Sequence, residues 1–127
     1  MEYSLPVKRL RMTVVLQSID GGGSPGVLEI RNAERVILAS LLLSVPSFYL
    51  VGDDLILTAP TTGFVAIAGS AAIATISDGA GNIIIDEMTV GVDETEDQTH
   101  DYEICLDTVM LEVGKQVTIV AATIEHG

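Results

Sequence analysis

FVAIAGSAAIATISDGAGNIIIDEMTVG, residues 64–91, decides how the rest of the chain is read. Two runs rich in Ile, Val and Thr flank Ser77-Asp78-Gly79-Ala80-Gly81-Asn82. Those six residues can reverse the chain. Glycine reaches positive φ without a Cβ clash, and Asp and Asn side chains bond their own backbone. In the first run Ile67, Ala71, Ile73 and Thr75 share one parity, and Ala72, Ala74 and Ile76 the other. Small and apolar residues on both parities predict a strand packed on both sides. The stretch predicts a hairpin at the centre of a β-domain.

The segments before it follow the same pattern. Val27–Arg31 alternates, with Leu28 and Ile30 facing inward, and Asn32 to Arg35 turns the chain. Val36 to Ser44 predicts a long buried strand that Pro46 ends, since proline cannot donate to a ladder. Phe48–Val51 leads into Gly52-Asp53-Asp54, Leu55–Thr58 is another short strand, and Pro60 to Gly63 is expected to turn. After the hairpin, residues 92–101 carry no apolar period and predict an exposed acidic loop. Tyr102–Leu106 resumes the sheet with Tyr102, Ile104 and Leu106 on one face. Glu112 to Lys115 turns, and Gln116 to Glu125 is a last alternating strand. Seven or eight short strands at near-regular spacing predict a mainly β, β-sandwich or jelly-roll-like single domain over residues 1–127.

The N-terminal arm, residues 1–20, differs. Ser4 can cap, Pro6 suits a first helical turn, and Met12, Val15, Leu16 and Ile19 follow the helical template. Arg9, Thr13, Gln17 and Asp20 form a polar strip, and Val7, Leu10 and Val14 form a second apolar group. One short helix with two apolar sides is expected, wanting its own sheet on one side and a second subunit on the other. The β-branched pair Val14-Val15 also permits a strand. Glycines 21–23 stop the element. No Gly-Lys-Ser/Thr follows them and the next segment is a strand, so a phosphate-binding loop is not expected.

Composition narrows the function classes. The core must be built from Val, Ile, Leu and Ala, because aromatics are 4% of the chain and Trp is absent. The longest apolar run, Val36 to Val51, is interrupted by Ser40, Ser44, Pro46 and Ser47, and falls short of the roughly 20 residues that span a bilayer. No cleavage site follows the N-terminal bases, so no signal peptide is expected. A single cysteine, Cys105, excludes an internal disulfide framework and fits a reducing cytosol. Residues 1–35 hold five of the six bases against four acids. The remainder holds one base against fourteen acids, within a net charge of −12. Such a surface repels nucleic-acid phosphates and anionic membranes, so neither is expected as a partner.

Candidate chemistry is sparse. Asp93, Glu94, Glu96, Asp97 and Asp101 could gather a hard cation, but they lack the spacing of a calcium loop and no metal is expected there. Asp78–Asn82 has Ala80 where an oxygen is wanted. His100 precedes Cys105 by five residues, yet a cysteine in an apolar strand amid acids predicts a buried filler, not a nucleophile. His126 adds no His-x-His pair for zinc. Asp86 and Glu87 are adjacent on a strand and are expected on opposite faces. No catalytic residue, cofactor or enzymatic activity is expected.

Read end to end, the chain resembles a family of small proteins encoded among the head genes of tailed bacteriophages. The features that carry this are Leu5-Pro6-Val7-Lys8, Arg11-Met12-Thr13-Val14, Ile19-Asp20-Gly21-Gly22 and Pro25-Gly26-Val27-Leu28-Glu29-Ile30. Ile76 to Asn82, Met88-Thr89-Val90-Gly91, Val117-Thr118-Ile119 and Ala122-Thr123-Ile124 continue it. The acidic loop is longer and more charged than in the family, and Arg35 to Val51 more continuously apolar. The resemblance implies a capsid decoration or cement protein, a β-sandwich or jelly-roll subunit that is often a homotrimer. Its partner would be the major capsid protein lattice, on the exterior of the phage head, after synthesis in the host cytoplasm. Leu5, Val7, Lys8, Arg9, Leu10 and Arg11 are the expected contact residues, the bases steering approach and the apolar side chains holding. A tail, head-fibre or receptor-recognition module is the alternative; a metal-dependent glycan binder or enzyme fits less well.

Overall fold

The computed structural model describes residues 2–21, 25–58, 60–92 and 102–125. It is mainly β with one N-terminal helix, α1 (Leu5–Asp20). Among the described residues eleven strands follow in chain order: β1 (Val27–Arg31), β2 (Ile37–Leu42), β3 (Phe48–Val51), β4 (Asp54–Leu57), β5 (Thr61–Phe64) and β6 (Gly69–Ser70) come first. Then come β7 (Ile73–Ser77), β8 (Ile83–Val92), β9 (Ile104–Leu106), β10 (Met110–Leu111) and β11 (Gln116–Ile124). The main sheet runs β2-β1-β7-β8-β9-β11-β4-β3, with β5 also on β11. Neighbours are antiparallel except β8 and β9, which run parallel. The sheet curls until β2, at one end, meets β5 and the residue after it, giving a β-sandwich-like single domain.

The closure depends on β5, which the sequence presents as a turn. Thr61 to Phe64 pair with Ile119 to Gln116 of β11. Just beyond, Val65 bridges Ala39 of β2, and the Ala66 and Ile67 amides both donate to the Leu38 carbonyl. Gly63 permits this approach: a Cβ there would lie 2.7 Å from Leu41 Cγ and 3.2 Å from the Ser40 carbonyl oxygen. The β2 edge is therefore strapped, and β3 is the end strand with no second strand neighbour among the described residues.

The central hairpin is β7–β8. Its turn is held by the Asp78 carboxylate, which accepts from the Ala80 and Asn82 amides and the Asn82 side chain. Those donors hold the Asp78 carboxyl below its ordinary value, the Asn82 side chain most of all. Strand β7 is buried on both faces, but it begins at Ile73; Ile67 lies outside it and is exposed. Strand β2 is half-covered where full burial was expected. Ala39 and Leu41 alternate onto the core while Leu42 faces outward. Leu38 is buried too and Ile37 exposed, because Ile30 pairs with Ala39 and Arg31 with Ile37, a bulge at Leu38 that shifts the parity. Strand β9 is buried at all three positions, and Tyr102 sits before it with its ring over Gly91. Strand β11 buries Val117 and Ile119, then Ala122 and Ile124; an irregularity between Ile119 and Ala121 shifts the parity.

Helix α1 forms over the expected residues. Pro6 is in the first turn, and the Gly21 amide closes the last on the Gln17 carbonyl at 2.7 Å. Ser4 occupies the N-cap position, but its side chain makes no capping bond; its carbonyl accepts the Lys8 amide. Met12 and Ile19 are buried, with Val15 and Leu16 packed beside them on the sheet core.

Candidate functional site

The six residues singled out from the sequence all lie on the first two turns of α1, and the structure divides them by role. Lys8 is held within the chain, 2.7 Å from Glu2 and 4.0 Å from Asp53 in the β3–β4 turn. The hydrogen bond between them raises the Lys8 ammonium and lowers the Glu2 carboxyl from their ordinary values. The Arg11 guanidinium lies 4.5 Å from the centre of the Tyr3 ring, a cation–π contact. Arg9 has no acid within ion-pair distance among the described residues and lines a groove instead.

That groove, about 500 Å³, runs between α1 and β3 and is lined by Leu5, Pro6, Arg9, Leu10, Thr13 and Leu50. Residues four apart stack on one flank of a helix, so Leu5, Arg9 and Thr13 form its helical wall. Leu50 of β3 supplies the other. On the side of α1 away from the sheet Leu10 is 67% exposed and Val14 60%, with Val7 also exposed, while Leu5, 53% exposed, stays on the groove flank. The two-sided helix is therefore present, one side on its own sheet and the other uncovered. One helix thus leaves a contiguous group of aliphatic side chains exposed.

Helix and edge strand are anchored to each other at both ends. Lys8 reaches Asp53 after β3, and Asp20 Oδ2 accepts the Ser47 amide before it at 3.1 Å. Helix α1 thus lies antiparallel to β3. The free edge of β3 was not legible beforehand, because pairing order is not written in Phe48-Tyr49-Leu50-Val51; the lack of any charge in those four residues was the available signal.

A second cluster corrects an expectation. Asp86 and Glu87 do not face opposite ways. Ala74 pairs with Met88 and Ile76 with Ile85, so Thr75 alone opposes both acids in a bulge. Glu87 has φ +56°, and both carboxylates reach Arg35, at 2.6 Å from Asp86 and 3.3 Å from Glu87. Arg35 itself has φ +68°. The Thr75 hydroxyl and the Glu87 amide each donate to Asp86 Oδ1 at 2.7 Å. These donors, Thr75 first, hold the Asp86 carboxyl below its ordinary value, and Arg35 adds to them. The cluster ties the β1–β2 turn to the central hairpin.

Cys105 is buried and its thiol donates weakly to the Tyr102 carbonyl at 3.6 Å. His100, His126 and the acids from Asp93 to Asp101 lie outside the described residues. Among the described residues no three His, Cys, Asp or Glu side chains gather as a metal site, and no helix is long and apolar enough to cross a membrane. No family model, curated protein or solved structure matches the chain.

Proposed function

We propose that this chain is a non-enzymatic structural protein of a phage virion, a decoration or cement protein that binds the assembled major capsid protein lattice on the head exterior. One observation carries the reading beyond the resemblance: the uncovered apolar side of α1, with Leu10 and Val14 more than half exposed on a chain of net charge −12. Burial of that side against several capsid subunits would stabilise the lattice over its separated parts, because a ligand that binds only the assembled state shifts the equilibrium toward it. Charge would act on approach and register more than on holding. With Lys8 and Arg11 already engaged inside the chain, Arg9 is the base left to steer. A tail or head-fibre module of the same build is the second reading, and copy number in purified particles separates them.

The test adds purified protein to expanded capsids that lack it. Wild type is expected to bind, Leu10→Asp/Val14→Asp to fail, and Arg9→Glu to bind with slower association and a weaker salt dependence. Binding that survives Leu10→Asp/Val14→Asp removes α1 from the contact. No binding by wild type to any capsid form overturns the cement reading in favour of the tail module.

A further inference from the structure

Among the described residues strand β3 ends the main sheet with an unpaired edge, and Phe48-Tyr49-Leu50-Val51 carries none of the devices that keep edges apart: no lysine, no proline, no bulge. The other end of the sheet, β2, is strapped by Val65 to Ile67. Both faces of the bare edge are apolar. Leu50 lies on the α1 side, in the groove, while Tyr49 and Val51 project from the opposite face at 48% and 52% exposure. The surroundings are also free of the charge that repels a like chain. Lys8, Arg9 and Arg11 there nearly balance Glu2, Asp20, Asp53 and Asp54, in a molecule that is otherwise strongly negative.

We propose that a second copy of this chain pairs with the first along β3, antiparallel and about a two-fold axis, with Leu50 facing the second copy's Leu50. The register follows from symmetry. A two-fold axis perpendicular to the sheet keeps each side chain on its own face, so a residue at the axis must face itself. Centring on Leu50 sets Tyr49 opposite the second copy's Val51, which covers both exposed side chains of the outer face, and an aromatic against a β-branched residue is a favourable cross-strand pair.

Helix α1 fits the same axis. It packs over both β3 and β4, so with strands about 4.8 Å apart its axis lies roughly 5 Å from the two-fold. The two helices then stand roughly 10 Å apart, near the 8–10 Å of packed helices. They run antiparallel, and each brings its Leu5–Arg9–Thr13 flank to the seam, where the groove stands open in one copy. The contacts Lys8–Asp53 and Asp20–Ser47 match the helix to the strand along their lengths. At about 1.5 Å per helical residue and 3.3 Å per strand residue, Leu50 lies level with Val14. Antiparallel helices centred there set Arg9, which has no ion-pair partner among the described residues of its own chain, beside the second copy's Asp20. Apolar faces, groove and charge are met together. The pairing is two-fold and departs from the closed trimer that the resemblance implies; it does not rest on capsid binding, and it takes up Leu5 and Arg9 while Val7 and Val14 lie off the seam.

Sedimentation equilibrium across the micromolar range tests it on the full chain. Wild type is expected at twice its 13.4 kDa. Tyr49→Lys/Val51→Lys, which gives the edge the charges it lacks, is expected to sediment as a monomer with an unchanged circular dichroism spectrum. Under mild oxidation Leu50→Cys is expected to form a covalent dimer. Facing Cα atoms lie about 4.5–5.5 Å apart, within reach of a disulfide, whereas Val51→Cys would stand from its own copy at about 8 Å, too far. A monomer or trimer in wild type, a dimer that survives the double lysine variant, or equal cross-linking at both cysteine positions would each overturn the proposal.

Discussion

Ile19→Ala and Val14→Ala, two substitutions on one helix, separate its two apolar sides. Ile19 is fully buried and packs tightly: a Cβ on Gly26 would lie only 2.7 Å from its Cγ2. Truncation removes buried methyl groups that a rigid neighbour such as the Gly26 backbone cannot replace. A buried Ile→Ala change costs about 2–5 kcal/mol, and alanine returns up to ~0.5 kcal/mol of helix propensity. We expect a net loss of about 3 kcal/mol, which in a domain of this size lowers Tm by about 10 °C. Val14 is 60% exposed, so its truncation loses little contact and gains propensity; the expected change lies between zero and a gain of ~0.5 kcal/mol. Urea denaturation followed by far-UV circular dichroism reads both, with the m-value as the check that compactness is unaltered. Equal losses at the two positions, or a larger loss at Val14, would refute the placement of α1.

Two further outcomes follow from local contacts. Asp86 has its folded pKa depressed below the ordinary 3.8, by Thr75 first and then by the Glu87 amide and Arg35. Its contribution to stability is therefore complete above that ordinary value and is lost as pH falls through the folded value. Urea midpoints measured from pH 7 down to acid should fall less steeply for Asp86→Asn than for wild type, and equal slopes would remove the carboxylate from the effect. Gly91→Ala sets a methyl group into the Tyr102 ring and should cost about 1–3 kcal/mol. Tyr102→Ala should relieve much of that in the double variant, and strictly additive losses would show that the ring does not press on Gly91.

What the sequence made legible was what local chemistry dictates. The turn at Asp78–Asn82 is a set of short-range hydrogen bonds, and α1 is a periodicity bounded by Pro6 and Gly21, so both stand where the residues predict. What was not legible depends on partners distant in the chain. Thr61-Thr62-Gly63 has turn composition, yet it is a strand because β11 lies on one side and the β2 backbone on the other. Asp86 and Glu87 share a face because a bulge overrides the period of two. At the candidate site the second apolar side of α1 could be read from Val7, Leu10 and Val14. That Lys8 would be taken by Glu2 and Asp53, leaving Arg9 open, could not, since Asp53 is brought there by the β3–β4 hairpin.

Strand β11 carries a consequence for biosynthesis. It pairs with β9 along one edge and with both β5 and β4 along the other. In the main sheet the β3–β4 hairpin joins through β11 alone. A ribosome releases β11 after every strand it joins. Until then the edges of β4, β5 and β9 stand open, and the hairpin beneath α1 has no strand tying it to the rest. The domain is expected to complete its fold only after translation has passed Ile124, with closure limited by contacts between residues far apart in sequence. Stalled chains that end before Gln116 would carry several bare apolar edges and should be aggregation-prone.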